Sequence, residues 1–395
     1  MSILYIGFAV DRKYEAKYNG ISVAGNKMQV NFLKELNRIM TDEKLSVVSI
    51  LPIAAYPRDK EVIVNRDTIE IDEKSGLNGY VPFMLNVPFI KNLYEIVSTY
   101  RVSKKLAQNE NVDRIVIFNA FPQTAFSALK LKKIYGCEVV CLLADLPIDD
   151  SIKTRGLQYF LRNIFDRYTK KAIKKMDKLI VLNKQAAQDY APDVPYMIME
   201  GAVSSEDIKP FIWNIPKEHN IVFTGALQKH NGIVELVEGV KRLKDTDICL
   251  DIYGDGEFRD YVKENAAKYS CIHYHGRVSN EEVQKKQREA FLLVNPRPLG
   301  NYTSQVTFPS KIFEYMMSGT PVLTTKLNGF TDEYLDTMFF IADNSPQAIE
   351  MAVRDILTLD EQKLKERAQK AYNLVTEKKN WRVQTQRMYD FIGRD

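Results

Sequence analysis

Short apolar runs recur along the chain, each followed by a stretch whose apolar positions return every three or four residues. In the first half, the runs at residues 3–6, 46–51, 114–118, 138–143 and 178–182 read as strands with helical patterns between them. The first run leads through a loop holding Gly20 and Gly25 into a helical pattern over residues 27–40, where Met28, Phe32, Leu33 and Leu36 share a face. In the second half, runs at 221–224, 249–253, 272–275 and 291–294 repeat the arrangement, and the chain closes with helices predicted over 360–377 and 381–392. Such alternation predicts an α/β protein of parallel, doubly wound sheets, in which ligands bind beyond the carboxyl ends of the strands. A chain of 395 residues suits two such domains of about 200 residues each.

The segment 308–325 combines a loop, a helix and a strand. Pro309 opens the helix where a missing N–H costs nothing, and Gly319 stands just past its end, a span of about ten residues. Ile312, Tyr315 and Met316 fall on one face with Phe313 and Met317 alongside, which predicts a buried helix followed by a strand over 320–325. Glu314 departs from this apolar pattern. It lies near the positive end of the helix, close to Lys311. Two readings follow: an ordinary amphipathic helix with one half-exposed glutamate, or a site where Lys311 and free amides take a phosphate while Glu314 accepts bonds from hydroxyls.

Composition narrows the class. Apolar residues make up 45% and charged residues 27%, the mixture of a globular enzyme, and a net charge of +4 gives no reason to expect nucleic acid. No apolar run approaches the ~18 residues that span a bilayer. The N-terminus reads as a first strand rather than a signal peptide, so a cytoplasmic location is expected. Cys137, Cys141, Cys249 and Cys271 lie in strand-like runs without a C-x-x-C pair and read as core thiols. All four histidines, His219, His230, His273 and His275, belong to the second half.

Polar residues at predicted strand ends are the remaining candidates. In the first half these are Asn119 and Asp145, the latter with a competing reading as a helix N-cap or turn acid. The loop with Gly20, Ser22 and Gly25 either brings amides to a ligand or is a surface turn. Between residues 151 and 178, Arg162, Arg167, Lys170, Lys171, Lys174 and Lys175 interleave with Leu157, Phe160, Leu161, Ile164, Phe165 and Tyr168. That pattern is either a helix that covers the sheet with a solvated charged face or a surface for an anionic membrane.

The segment Pro309-Ser310-Lys311, continuing Glu314-Tyr315-Met316 and Gly319-Thr320-Pro321-Val322, resembles the signature of the retaining, nucleotide-sugar-dependent glycosyltransferases of family 4. The resemblance implies the two-domain GT-B fold: an acceptor-side Rossmann-like domain over 1–205, a nucleotide-sugar domain over 206–378 facing it across a cleft, and a C-terminal helix over 379–395 returning to the first domain. It also implies transfer of a hexose from a UDP-, GDP- or dTDP-sugar to a saccharide or lipid-linked saccharide, with no metal required. On this reading Lys311, Glu314 and Asp145 are the catalytic candidates. Gly20, Ser22, Gly25, Gly225, Lys229, Arg277, Val278, Arg297 and Ser310 are the candidates for donor contacts, with Arg277 and Val278 beside the base.

Four positions depart from the family pattern. Ala144 replaces a histidine, Ala226 an arginine and Asn231 a lysine of the diphosphate loop over 225–232. Val306 stands eight positions before Glu314, where many relatives carry a second glutamate. The polar run 301–305 is then the expected source of sugar contacts. The loss of the basic pair leaves the positive charge to Lys229, Lys311 or Arg297. The four departures together keep open a non-catalytic subunit that steadies a partner transferase; a GT-B-fold epimerase is a further rival, disfavoured because no carboxylate and histidine cluster stands out in the first half.

Overall fold

The computed structural model describes residues 2–14, 17, 20, 22–88, 90–146, 157–213, 219–300 and 308–393. Val306 and the run 301–305 therefore lie outside the described residues, as do residues 151–156 of the basic stretch. The chain divides into two compact units, Met1–Glu200 with Trp381–Asp395, and Gly201–Asn380.

The first unit carries strands β1 (Ser2–Gly7), β2 (Lys44–Ser49), β3 (Ile63–Val64), β4 (Asp67–Asp72), β5 (Leu77–Val81), β6 (Met84–Leu85), β7 (Arg114–Phe118), β8 (Glu138–Leu143), β9 (Lys178–Val181) and β10 (Tyr196–Ile198). Eight of them form one sheet in the order β10-β9-β8-β7-β1-β2-β5-β4, parallel except for the β4–β5 pair, and β3 pairs with β6 apart from it. Helices α1 (Val23–Ile39), α2 (Lys91–Glu110), α3 (Pro122–Tyr135), α4 (Leu157–Ile173) and α5 (Lys184–Tyr190) connect the strands. β1, β7, β8 and β9 are apolar on both faces, as the middle of a covered parallel sheet requires. The closing helix Trp381–Gly393 belongs to this unit and packs against α1. Trp381, Met388 and Ile392 are buried, and Tyr389 donates to Glu43 at 2.6 Å.

The second unit holds β11 (Asn220–Thr224), β12 (Cys249–Tyr253), β13 (Ile272–Gly276), β14 (Leu292–Asn295), β15 (Val322–Thr325) and β16 (Phe339–Ile341), all parallel in the order β13-β12-β11-β14-β15-β16. Helices α6 (Ile233–Val240), α7 (Arg259–Lys268), α8 (Asn280–Glu289), α9 (Lys311–Met317), α10 (Pro346–Leu357) and α11 (Glu361–Asn373) complete it. Numbered within the unit, the strand order is 3-2-1-4-5-6, the doubly wound arrangement of a Rossmann-like domain. The parallel strands of the first unit follow the same rule, their order reversing between β1 and β7.

Several expectations need correcting. The helix placed at 27–40 begins four residues earlier, because Ser22 caps it by accepting from the Gly25 amide at 3.3 Å. α9 has seven residues rather than ten, since the chain from Pro309 first makes tight turns with Ile312 N–H bonded to the Pro309 carbonyl and Phe313 N–H to that of Ser310. Cys249 and Cys271 are half-buried, unlike the buried Cys137 and Cys141: Cys249 opens β12, and Cys271 directly precedes β13, the sheet's edge strand. In α4 the cover over the sheet comes from Thr169, Ala172 and Ile173, whereas Phe160 and Ile164, assigned to the same apolar face, are exposed. The β4–β5 pair, whose Ile69 and Ile71 turn inward, extends the first sheet beyond the strands read from the sequence.

Candidate functional site

In the second unit the strand order reverses between β11 and β14, where a doubly wound sheet leaves a crevice beyond its strand ends. The loop 225–232 leaves β11 at this place. Gly225 has φ +152°, and a Cβ there would collide with the Lys311 ammonium, so the first glycine of the loop makes room for that side chain. Lys311 reaches it from the start of α9 and donates to the Thr224 carbonyl. One turn on, the buried Tyr315 hydroxyl accepts from the Thr224 amide at 3.0 Å and from Thr224 Oγ1 at 3.2 Å. Burial pushes the Tyr315 pKa up to about 12, so the phenol remains neutral. α9 is thereby pinned to the end of β11.

The other end of the loop is fixed in the same manner. Gly232, at φ +70°, lies so close to the Pro296 carbonyl that no side chain fits, and Arg297 follows directly. Burial lowers the pKa of the Arg297 guanidinium, and its Nε is buried with no hydrogen-bond partner among the described residues. Its charge acts on both Lys311 and His230. The Lys311 pKa is lowered, first by burial and further by Arg297, while the neighbouring Glu314 carboxylate opposes the shift. Two partly desolvated cations thus bracket the 225–232 loop, Lys311 at its first glycine and Arg297 at its last. They stand beside Ala226 and Asn231, the two positions that lack charge.

A cavity of about 470 Å³ adjoins this loop, lined by Gly225, Ala226, Gly254, Asp255, Gly256 and Arg277. Backbone bonds hold its rim: Gly225 N–H to the Tyr253 carbonyl at 2.8 Å, Leu227 N–H to that of Asp255 at 3.0 Å and Gly254 N–H to that of Gly276 at 2.7 Å. Arg277 therefore lines a cavity that begins at Gly225, whereas Val278 is exposed and does not line it. Lys229 is exposed on the turn Lys229–Asn231, and Ser310 is exposed ahead of α9. Free amides at the start of α9 were expected to share in holding an anion. The Ile312 and Phe313 amides instead donate to the Pro309 and Ser310 carbonyls.

The first unit has a different kind of strand edge. Asn119, buried at the end of β7 with φ +57°, accepts at Oδ1 from the Ala144 and Asp145 amides, both at 2.8 Å, and donates from Nδ2 to Asp145 Oδ2 at 2.8 Å. Asp145 stays accessible to solvent, yet enough protein surrounds the carboxyl that desolvation raises its pKa against the lowering effect of Asn119. Gly20 packs against the Pro52 carbonyl, Ser22 is a helix cap and Gly25 lies in the first turn of α1. The loop after β1 is held by two residues that sequence reasoning missed. Asn26 exchanges both its amide groups with Val10 at 3.0 Å, and Gln29 Oε1 accepts from Phe8 N–H at 2.7 Å and from the Tyr5 hydroxyl at 3.0 Å. Two amides at i, i+3 on an otherwise apolar helix face were the available signal.

His273 and His275 lie on either side of the Asp251 carboxylate, at 3.3 and 2.7 Å, and tie β13 to β12. Among the described residues, no group of three or more His, Cys, Asp or Glu is placed to hold a metal ion.

The architecture is that of the GT-B glycosyltransferases. Sucrose-phosphate synthase from Thermosynechococcus elongatus superimposes with a TM-score of 0.67 over 99% of this chain and 98% of that one, at 13% identity. The Anabaena protein HepE in complex with UDP gives 0.63 over 99% of both chains, also at 13% identity. Residues 218–359, which include the whole loop 225–232 and α9, match the family described as Glycosyl transferases group 1. An uncharacterized glycosyltransferase of Methanocaldococcus jannaschii is 24% identical over 288 residues, 70% of this chain and 75% of that one. The family match and the shared fold together support a GT-B glycosyltransferase.

Proposed function

We propose that the protein transfers a hexose from a nucleotide diphosphate sugar to a hydroxyl of a saccharide or lipid-linked saccharide, with retention at the anomeric carbon, in surface polysaccharide or glycoconjugate synthesis. The observation that carries this reading is the pair of cations at the two ends of the loop 225–232. Lys311 and Arg297 offer preorganised positive charge where a diphosphate leaving group would develop its own. Glu314, in the first turn of α9, is the proposed acceptor from ribose hydroxyls. Arg277, which lines the adjoining cavity, is the proposed contact for the base. That HepE forms a complex with UDP supports a nucleotide as part of the ligand.

In the reaction the bond between the anomeric carbon and the diphosphate oxygen breaks as the acceptor oxygen bonds to the same carbon on the same face. The departing phosphate oxygen takes the acceptor proton, so no separate base is assigned. Lys311 and Arg297 supply the charge that a metal would otherwise provide, and the transfer is proposed to proceed without one. Asp145, oriented by Asn119, is the acceptor-side candidate of the first unit.

A membrane partner is also proposed. α4 exposes Tyr159, Phe160 and Ile164 in its first half and carries Arg167, Lys170 and Lys171 in its second, the composition of a surface that lies on anionic lipid at about 1 kcal/mol per cation. No described helix is long and apolar enough to cross a membrane. Binding to anionic liposomes that salt does not weaken would count against this surface.

The donor reading is tested by thermal shift against UDP-, GDP- and dTDP-sugars, where a ligand of the native state raises the midpoint by mass action. A shift by at least one sugar, lost in Glu314→Ala, is expected, and its absence with all three would overturn the reading. Turnover of the hit then separates the transferase from the non-catalytic subunit that Ala226 and Asn231 also allow.

A further inference from the structure

We propose that a cavity at the lateral end of the first sheet, between the β4–β5 pair and α2, binds a small phosphate monoester of a sugar or other polyol. It lies apart from the strand ends that carry Asn119 and Asp145, since β1 and β2 stand between β7 and the β4–β5 pair in the sheet order. Nothing in it depends on the donor-site reading above. The cavity has a volume of about 370 Å³, the size of a small-molecule site. Arg66, directly before β4, and Tyr80 of β5 line it from the strand pair, and Arg101, Lys105 and Asn109 line it from the second half of α2. Val81, Val102 and Leu106 supply its apolar lining.

The cations of this cavity are left over from the pairing around them. Lys13, Lys34 and Lys44 are bound to Glu70, Asp72 and Glu110 at 3.0, 3.0 and 3.2 Å. Among the described residues, Arg66, Arg101 and Lys105 have no hydrogen-bond or ion-pair partner. Arg101 and Lys105 also stand one turn apart on α2, where like charges repel and a bound anion relieves the repulsion. Two carboxylates share the lining. Glu110 is balanced by Lys44 and accepts from Ser46 Oγ, so Asp67 alone counts against the three cations. The remaining excess of two positive charges matches a phosphate monoester, which carries about −1.5 to −2 charges at pH 7. Guanidinium groups suit phosphate oxygens as paired donors. The rest of the lining favours a hydroxyl-bearing body over a bare ion. Asp67 gives one oxygen to the Thr68 amide at 2.8 Å and keeps the other for a hydroxyl, Asn109 can donate and accept, and Tyr80, 43% exposed, offers an aromatic wall.

The test is calorimetric titration of the full chain with glucose 6-phosphate, mannose 1-phosphate, glycerol 3-phosphate, inorganic phosphate and glucose. Flotation on phosphatidylcholine vesicles with and without phosphatidylinositol 4-phosphate is run in parallel. At least one of the three esters is expected to bind, more tightly than inorganic phosphate, and glucose is expected not to bind. Arg66→Gln and Arg101→Gln, both at exposed positions, should each weaken the ester by about tenfold or more at an unchanged melting temperature. Tyr80→Ala should weaken the ester and leave inorganic phosphate as it was. Lys311→Ala, in the other unit, should bind the ester as the wild type does, which separates this cavity from the donor site. Binding to the phosphatidylinositol 4-phosphate vesicles alone, lost in both arginine variants, assigns the same monoester chemistry to a lipid headgroup. Binding of either kind that survives both arginine variants, or binding by neither the soluble esters nor these vesicles, overturns the proposal.

Discussion

The carboxyl edges of the two sheets share a topology and differ in how their polar groups are used. In the first unit four polar side chains at the edge are occupied with the backbone. Asn119 satisfies two amides, Asn26 and Gln29 hold the loop after β1, and Ser22 caps α1. In the second unit the edge keeps charge in hand. The Arg297 Nε is buried without a partner among the described residues, and Lys311, on which its charge acts, is partly desolvated. A buried cation left short of partners destabilises the free protein and so is retained where a ligand offsets the cost. An edge whose polar groups are mutually satisfied has a shape to offer, and one with unmet charge has affinity for an anion.

Substitutions can break this contrast. The largest expected effect is at Lys311. Lys311→Ala should weaken binding of the nucleotide sugar by about 10- to 150-fold, corresponding to a charge-assisted bond of about 1.5–3 kcal/mol, as read by calorimetry. Asn119→Ala should act on stability instead, costing about 2 kcal/mol in urea denaturation, because the Ala144 and Asp145 amides lose their acceptor and alanine is strained at φ +57°. Nucleotide-sugar affinity should not change in that variant. Arg297→Met should divide the two properties, with donor affinity falling about tenfold and the melting temperature of the free protein unchanged or higher. A large loss of stability would mean that the guanidinium is a structural group.

The smallest effect is on the alkaline side. A lysine whose folded-state pKa is lowered loses its charge at a lower pH than an ordinary lysine. Donor affinity should therefore decline a few-fold as pH rises toward 10, and Lys311→Arg should remove that decline because a guanidinium stays charged.

The sequence made the second edge easier to read than the first, for a physical reason. Residues 308–325 place Lys311, Glu314 and Gly319 within one helix and its flanks, so their local spacing already marks the element. Nothing local shows that Lys311 lies over Gly225 or that Arg297 follows the carbonyl against Gly232, since both contacts join segments far apart in sequence. Ala226 and Asn231 read as a loss, and only the packing of three loops reveals cations standing beside them. In the first unit the alternation Thr68, Ile69, Glu70, Ile71 was a legible strand signal whose place at the sheet edge was not. The apolar face of α4 shows a further limit. Periodicity groups Phe160 and Ile164 with Tyr168, but which turns of the helix meet the sheet depends on its position, and the first two face solvent.

We propose that Lys311 and Arg297 together hold the diphosphate of a nucleotide sugar at the loop 225–232. The most direct measurement is the thermal shift produced by UDP-, GDP- and dTDP-sugars on the wild type and on the double variant Lys311→Ala/Arg297→Met. A shift is expected in the wild type with at least one of them and none in a double variant that still unfolds cooperatively. A double variant that shifts as far as the wild type would contradict it.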